Sequence, residues 1–285
     1  MFKGLESEYK NFSTEFDQFS RNYFAQLKLR AHDISTLVES IQYSFSSGGK
    51  RFRPFLAYLV AQLYQQSGQK TMSLGFAAEL IHTYSLIHDD LPCMDNDDFR
   101  RGLPTNHKKF GEDIALLSGD ALQSEAFQCL AHDQLNSAED KVIVIGHFAQ
   151  FIGTAGMVGG QVLDMKSNYS TTLEQLEIIH QRKTGDLVTA SVLCAAQYAT
   201  SNKNDHTCLK IFAQNLGLAF QIKDDLLDGL DGAQDHKSYL KLLGVAKTKE
   251  KLNLHSSLAK QSLDQLSVDT NLLQKIIDFN LNREK

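Results

Sequence analysis

Apolar residues recur along this chain mostly at three- and four-residue steps, the spacing of one helix face rather than of an alternating strand. In FLAYLVAQLYQ, Phe55, Leu56, Leu59, Val60 and Leu63 share a face, and in FAAELIHTYSLIHDD so do Leu80, Ile81, Tyr84 and Ile87. The spacing returns in Leu173, Leu176, Ile178 and Ile179, then in Leu187, Val188, Val192 and Leu193. It continues through Ile211, Phe212, Leu216, Leu218, Ala219 and Ile222, and again through Leu272, Leu273, Ile276 and Ile277. Strand-like runs are scarce, and VIVI at 142–145 is the best candidate. The only prolines are Pro54, Pro92 and Pro104, so residues 105–285 contain none of the residue that breaks helix interiors. The pattern predicts one all-α domain over residues 1–285, with helices of roughly ten to twenty residues joined by short loops.

Composition narrows the partners. A net charge of −5 gives no footprint for nucleic acid or an anionic membrane surface. Basic residues nevertheless bunch at Lys50, Arg51 and Arg53 and at Arg100 and Arg101, which suits a small anionic ligand. Cys93, Cys129, Cys194 and Cys208 show no CxxC spacing, as expected in a reducing, cytoplasmic compartment. The N-terminal residues carry acids from position 6 and no signal-like apolar core. No run of eighteen apolar residues occurs, so no membrane insertion is expected.

The candidate chemistry lies in two acidic clusters 135 positions apart, DDLPCMD with Asp89, Asp90 and Asp95, and DDLLD with Asp224, Asp225 and Asp228. Carboxylates crowded together repel one another unless a cation neutralises them. Mg²⁺ typically takes one or two carboxylates and leaves its other positions to phosphate and water. In the second cluster Asp224 and Asp228 are four apart and share one helix face. In the first, Pro92 disfavours helix at Leu91, so the helix should end near Asp90 and a turn return Asp95 toward it. Arg100 and Arg101 follow closely, and arginine makes bidentate bonds to phosphate oxygens. In GGKRFRP, Gly48 and Gly49 let the backbone approach an anion, although the string is not a Walker loop. Lys183, Thr184 and Gln221 sit in or beside apolar helices, where their dipoles could face a developing positive charge. Gln161 and Asp164 in GGQVLDM could support metal ligands from behind, and His82 and His88 flank the first acidic pair.

Read together and in order, GGKRFRP, ELIHTYSLIHDDLPCMDNDDFRRGLPTNHKKFGEDIALLSGDAL, GGQVLDM, KTGDLVTAS and LGLAFQIKDDLLD resemble the trans-isoprenyl diphosphate synthases, and within them the bacterial farnesyl type. The strings run from Gly48 to Asp228, and the closing NREK resembles the family's basic tail. The resemblance implies a bundle of mostly antiparallel helices around a deep cavity, built as a homodimer. It implies head-to-tail condensation of an allylic diphosphate (dimethylallyl or geranyl) with isopentenyl diphosphate. By the same resemblance Asp89 and Asp95 would hold two Mg²⁺ ions and Asp224 a third, supported by Asp90, Asp225 and Asp228. Arg100, Lys183 and Lys237 would contact the allylic diphosphate. Lys50, Arg53, His82 and Arg101 would hold isopentenyl diphosphate, and Lys183, Thr184 and Gln221 would face the reacting carbons.

Tyr84 lies five residues before Asp89, more than one helical turn deeper, and Ser85 follows it. An aromatic there resembles the enzymes that stop at fifteen carbons. Products of ten or twenty carbons are the alternatives, as is a non-catalytic subunit of a heteromer. One region departs from the family pattern: after Asp228 the chain runs directly into GLDGAQDHKSYLKLLG, so the usual longer loop is shortened.

Overall fold

In the computed structural model, which describes residues 2–168, 170–230 and 238–284, helices follow one another almost without interruption. They are α1 (Glu6–Arg30), α2 (Ser35–Ser46), α3 (Phe52–Leu63), α4 (Met72–Asp89), α5 (Asn106–Phe110), α6 (Glu112–Ala131) and α7 (Ala138–Ile152). Then come α8 (Met157–Lys166), α9 (Leu173–His180), α10 (Asp186–Ala199), α11 (Lys203–Leu230), α12 (Tyr239–Leu263) and α13 (Asn271–Asn282). The fold is the expected all-α bundle. Among the described residues the strand content is a two-residue hairpin, Phe99–Arg100 (β1) against Leu103–Pro104 (β2), which the periodicity does not predict.

Local chemistry explains the helix starts. Ser137 accepts from the Asp140 amide to begin α7, and Ser238 accepts from that of Lys241 to begin α12. Thr172 and Gln175 form a reciprocal capping box at α9. The VIVI run, read above as the best strand candidate, lies inside α7. Its buried residues Val144, Phe148 and Ile152 repeat every four positions, so the helical period wins over the β-branched composition.

Helices α3 and α4 are buried on almost every side, as expected of central elements. Phe55, Phe76, Leu59 and Ile81 from these two helices join Phe12 and Phe16 of α1 in the main core. A second apolar cluster, with Leu176, Ala219, Ile222, Leu226, Tyr239 and Leu252, ties α9, α11 and α12 together.

Among the described residues one stretch, Ala138–Lys166, is long and apolar enough to cross a membrane by length and composition. That differs from the sequence expectation. In the fold the stretch is two helices separated by a turn, and much of its apolar character is surface: Val142 is 71% exposed, and Val158, Val162 and Met165 are also exposed.

Candidate active site

Helix α4 ends where the sequence predicts. With Pro92 disfavouring further helix, the chain folds back and the Asp95 amide donates to the Asp89 carbonyl at 2.8 Å. Asp89 and Asp95 are thereby neighbours, Asp95 exposed and Asp89 half-buried. Burial is the main reason that the Asp89 carboxyl is pushed up to about 6. Lys183 and Arg100 pull it down, while Asp95 and Asp90 push it up further. Asp90 faces the other way. Only 3% exposed, it accepts from Arg100 Nε at 2.7 Å and pairs with Arg100 Nη2 at 2.6 Å. Arg100 also lies 3.6 Å from Asp97.

Asp89 stands at a cavity of about 360 Å³ that collects residues from four parts of the chain. Arg53, His82, Lys183 and Thr184 line it. Tyr84 and Met94 share the lining with Met157, Val158, Gln161, Val162 and Met165 of α8. Arg53 Nε is buried and finds no partner among the described residues, so it is placed to donate to an acceptor. Burial and the arginines around it hold His82 well below the usual histidine range, so its imidazole is neutral. Tyr84 Oη is also buried without a partner among the described residues, and its ring meets His88 edge-on at 5.7 Å. Ser85 Oγ bonds back to the His82 carbonyl at 2.9 Å.

Lys183 and Thr184 lie in a π turn, Gln181–Gly185, between α9 and α10. Such turns are rare and often mark functional positions, because the widened loop disturbs the carbonyl ladder. The turn needs close neighbours. A Cβ at Gly160 of the GGQVLDM string would stand 2.3 Å from the Lys183 nitrogen, which is why glycine is required there. Lys183 Nζ rests on Asp164 Oδ2 at 2.6 Å, so Asp164 helps set the lysine.

The GGKRFRP turn adds the cationic side. Gly49 has φ 129, and Arg101 packs so closely that a Cβ would meet its guanidinium at 3.0 Å. Arg101 Nη1 donates to the Gly48 carbonyl, which fastens the turn to the loop after the first acidic cluster. Arg51 points inward to buried Glu79 at 2.5 Å and to the Phe45 carbonyl at 2.7 Å. It is a strut, a role that the sequence does not reveal. Lys50 lies 5.8 Å above the Phe279 ring, and burial and nearby Arg283 lower its pKa.

The second cluster is helical throughout. Asp224 Oδ1 pairs with Arg283 Nη2 at 2.6 Å, and Gln221 Nε2 reaches Oδ2 at 3.3 Å. Burial raises the Asp224 carboxyl and Arg283 opposes it. Asp225 Oδ2 accepts from the Tyr239 amide at 2.6 Å and so helps start α12, while Asp228 is exposed. The charge of Asp224 acts on both Arg53 and Lys50, so the second cluster lies near the basic turn. Lys237 and the shortened loop at 231–237 lie outside the described residues.

Among the described residues no three metal-binding side chains converge into a cage. Half-buried Asp89 beside exposed Asp95, and Asp224 with one oxygen less firmly held, still suit Mg²⁺, which needs few protein oxygens when a phosphate supplies the rest.

Known proteins resemble this chain over most of its length. A farnesyl diphosphate synthase of Bacillus subtilis is 42% identical over 260 residues, covering 86% of this chain and 88% of its own length. A chloroplastic geranylgeranyl pyrophosphate synthase of Catharanthus roseus is 43% identical over 244 residues, 80% of this chain and 68% of its own. The apo crystal structure of an FPP/GFPP synthase from Zymomonas mobilis superposes with a TM-score of 0.87 at 35% identity, covering 98% of this chain and 99% of that one. The polyprenyl synthetase family profile matches residues 34–245. That match, over most of the chain, establishes that the chain belongs to the polyprenyl synthetase family.

Proposed function

We propose that the protein is a trans-prenyltransferase that condenses isopentenyl diphosphate head to tail with dimethylallyl or geranyl diphosphate and releases farnesyl diphosphate. The observation that carries this reading is one cavity lined by Asp89, Arg53 and Lys183 together with Tyr84. The farnesyl diphosphate synthases among its relatives support the fifteen-carbon product.

Asp89 and Asp95 on one side and Asp224 on the other would hold Mg²⁺, three ions in all. When bound, they supply charge that stabilises the departing diphosphate. The chain's own residues do the rest. Lys183, released from Asp164, and Arg100, held by Asp90, present cations to the allylic diphosphate. Lys50, Arg53, Arg101 and neutral His82 hold isopentenyl diphosphate, with His82 acting by hydrogen bonding rather than charge. The π-turn carbonyls, the Thr184 hydroxyl and the Gln221 amide face the allylic cation formed as the C–O bond breaks. Met94, Met157 and Val158 keep water from that cation. The double bond of isopentenyl diphosphate then attacks, and the released diphosphate takes the proton. Positioning and charge carry the reaction without a protein nucleophile.

We place the working form in the cytoplasm as a homodimer, with the apolar surface of α7 and α8 covered by a second copy. Light scattering that shows a monomer at micromolar concentration would remove that part. The activity is tested with purified protein, Mg²⁺, labelled isopentenyl diphosphate and each allylic primer, resolving the dephosphorylated alcohols by length. A fifteen-carbon alcohol, lost on chelation, is expected. Twenty carbons would keep the enzyme and move the floor away from Tyr84. No product from either primer would favour a non-catalytic subunit.

A further inference from the structure

Arg283 is the third-last residue of the sequence, yet its side chain is only 5% exposed. After α13 the backbone turns extended, and the guanidinium is received by four groups. Nε donates to Asn280 Oδ1 at 2.9 Å. Nη2 donates to the Phe220 carbonyl at 3.0 Å and pairs with Asp224 Oδ1 at 2.6 Å. The guanidinium carbon lies 4.1 Å above the Phe220 ring. Phe220 and Asp224 are one turn apart on α11, so a single planar fork spans that turn and grips both.

A simple latch for the last helix explains this arrangement less well. Helix α13 is already anchored by Leu273, Ile276 and Ile277 in the main core. Asn280 is fully buried, and its Nδ2 finds no partner among the described residues. Burying an amide with an unmade hydrogen bond costs stability, which the bond from its oxygen to Arg283 helps offset. The outcome at Asp224 is asymmetric. Oδ1 is held at 2.6 Å by a charged, buried donor, whereas Oδ2 has, among the described residues, the longer contact from Gln221 at 3.3 Å.

We propose that Arg283 is a positioning residue for the condensation: it fixes the Asp224 carboxylate through Oδ1 so that Oδ2 is offered to the metal–diphosphate complex. This rests on the reading of Asp224 as a Mg²⁺ ligand. The arginine touches neither substrate nor metal and acts through the carboxylate, as outer partners of metal ligands commonly do.

The test uses Arg283→Gln, Arg283→Lys, Asp224→Ala and the double variant Asp224→Ala/Arg283→Gln. Binding of Mg²⁺ together with inorganic pyrophosphate to the metal-free full-length protein is measured by calorimetry, beside the Mg²⁺ dependence of turnover. Arg283→Gln is expected to weaken Mg²⁺–pyrophosphate binding about tenfold. Arg283→Lys, which keeps the charge but loses the fork, should fall between Gln and the parent. In the double variant, Arg283→Gln should add no further loss to Asp224→Ala, because the two act in series. Unchanged binding in folded Arg283→Gln and Arg283→Lys proteins would overturn the proposal and leave a latch. Additive losses would do the same, by showing that Arg283 acts on the ligand independently of Asp224. If Asp224→Ala itself leaves Mg²⁺–pyrophosphate binding intact, the metal reading of Asp224 fails first, and this proposal with it.

Discussion

The two acidic clusters share a division of labour but reach it by different routes. In each pair the second aspartate serves the fold: Asp90 clasps Arg100, and Asp225 accepts the amide that opens α12. The first, Asp89 or Asp224, is the one we propose holds the metal–diphosphate complex. The first cluster is self-contained, since a turn after α4 returns Asp95 to Asp89 and the next loop supplies Arg100. The second lies in the last turns of α11, and among the described residues its cation is Arg283, from beyond α13. The first cluster takes its cation from its own loop, the second from tertiary structure.

The comparison breaks most decisively at the leading aspartates. Asp89→Ala and Asp224→Ala should each lower turnover roughly 10²- to 10³-fold with helical circular dichroism unchanged, the scale seen when one transition-state stabiliser is removed. Full turnover in either variant would remove that cluster from the site.

The next contrast is within the first cluster. Arg100→Ala leaves the Asp90 charge buried, so it should cost about 3 kcal/mol in denaturant unfolding as well as activity. Asp95→Ala, at an exposed position, should change stability by less than about 0.5 kcal/mol while still weakening Mg²⁺ binding. Equal stability losses would show that the pair does not divide labour as described.

Acid should sharpen the difference further. The Asp89 carboxyl, raised to about 6, binds its proton more tightly folded than unfolded. In the metal-free protein this group therefore makes stability rise as pH falls from above 6 toward the ordinary carboxyl range near 3.8. Mg²⁺ needs the ionised form, so its affinity should fall over the same interval. Denaturant melts and Mg²⁺–pyrophosphate calorimetry at pH 5.5 and 7.5, with Asp89→Asn as control, check both signs. An identical pH response in Asp89→Asn would exclude Asp89 as the source.

The smallest expected effect is on product choice. Tyr84→Ala opens the cavity wall and should shift alcohols toward twenty carbons, at a stability cost of about 3 kcal/mol for the buried ring. An unaltered profile in chain-length analysis would place the stop elsewhere, with α8 residues such as Met165 next in line.

Much of this was legible from spacing. The end of α4, the return of Asp95 and the absence of major sheet followed from Pro92 and the helical period, because these are local constraints. The VIVI run misled because β-branched residues fit a helix whose buried positions repeat every four. The tiny hairpin at Phe99–Pro104 carries too few residues to leave a pattern. At the site, aspartates and basic residues were visible by type, but their partners were not. That Arg51 turns to Glu79, Lys183 to Asp164 and Arg283 to Asp224 depends on contacts between residues far apart in sequence, 28, 19 and 59 positions respectively.

The π turn at Gln181–Gly185 has a second consequence, for the rotational phase of the rod that contains it. An α-helix advances about 100° per residue, so a turn holding one extra residue rotates everything beyond it by about that angle. Before the turn, Leu176 faces the apolar cluster with Ile222 and Tyr239; after it, Leu187 and Val188 face the main core. The same wide turn that presents Lys183 and Thr184 thus works as a phase shifter between two packing surfaces. A one-residue deletion within it would misalign the rod with one core or the other, so the geometry of the chemistry and the register of the bundle cannot be altered separately.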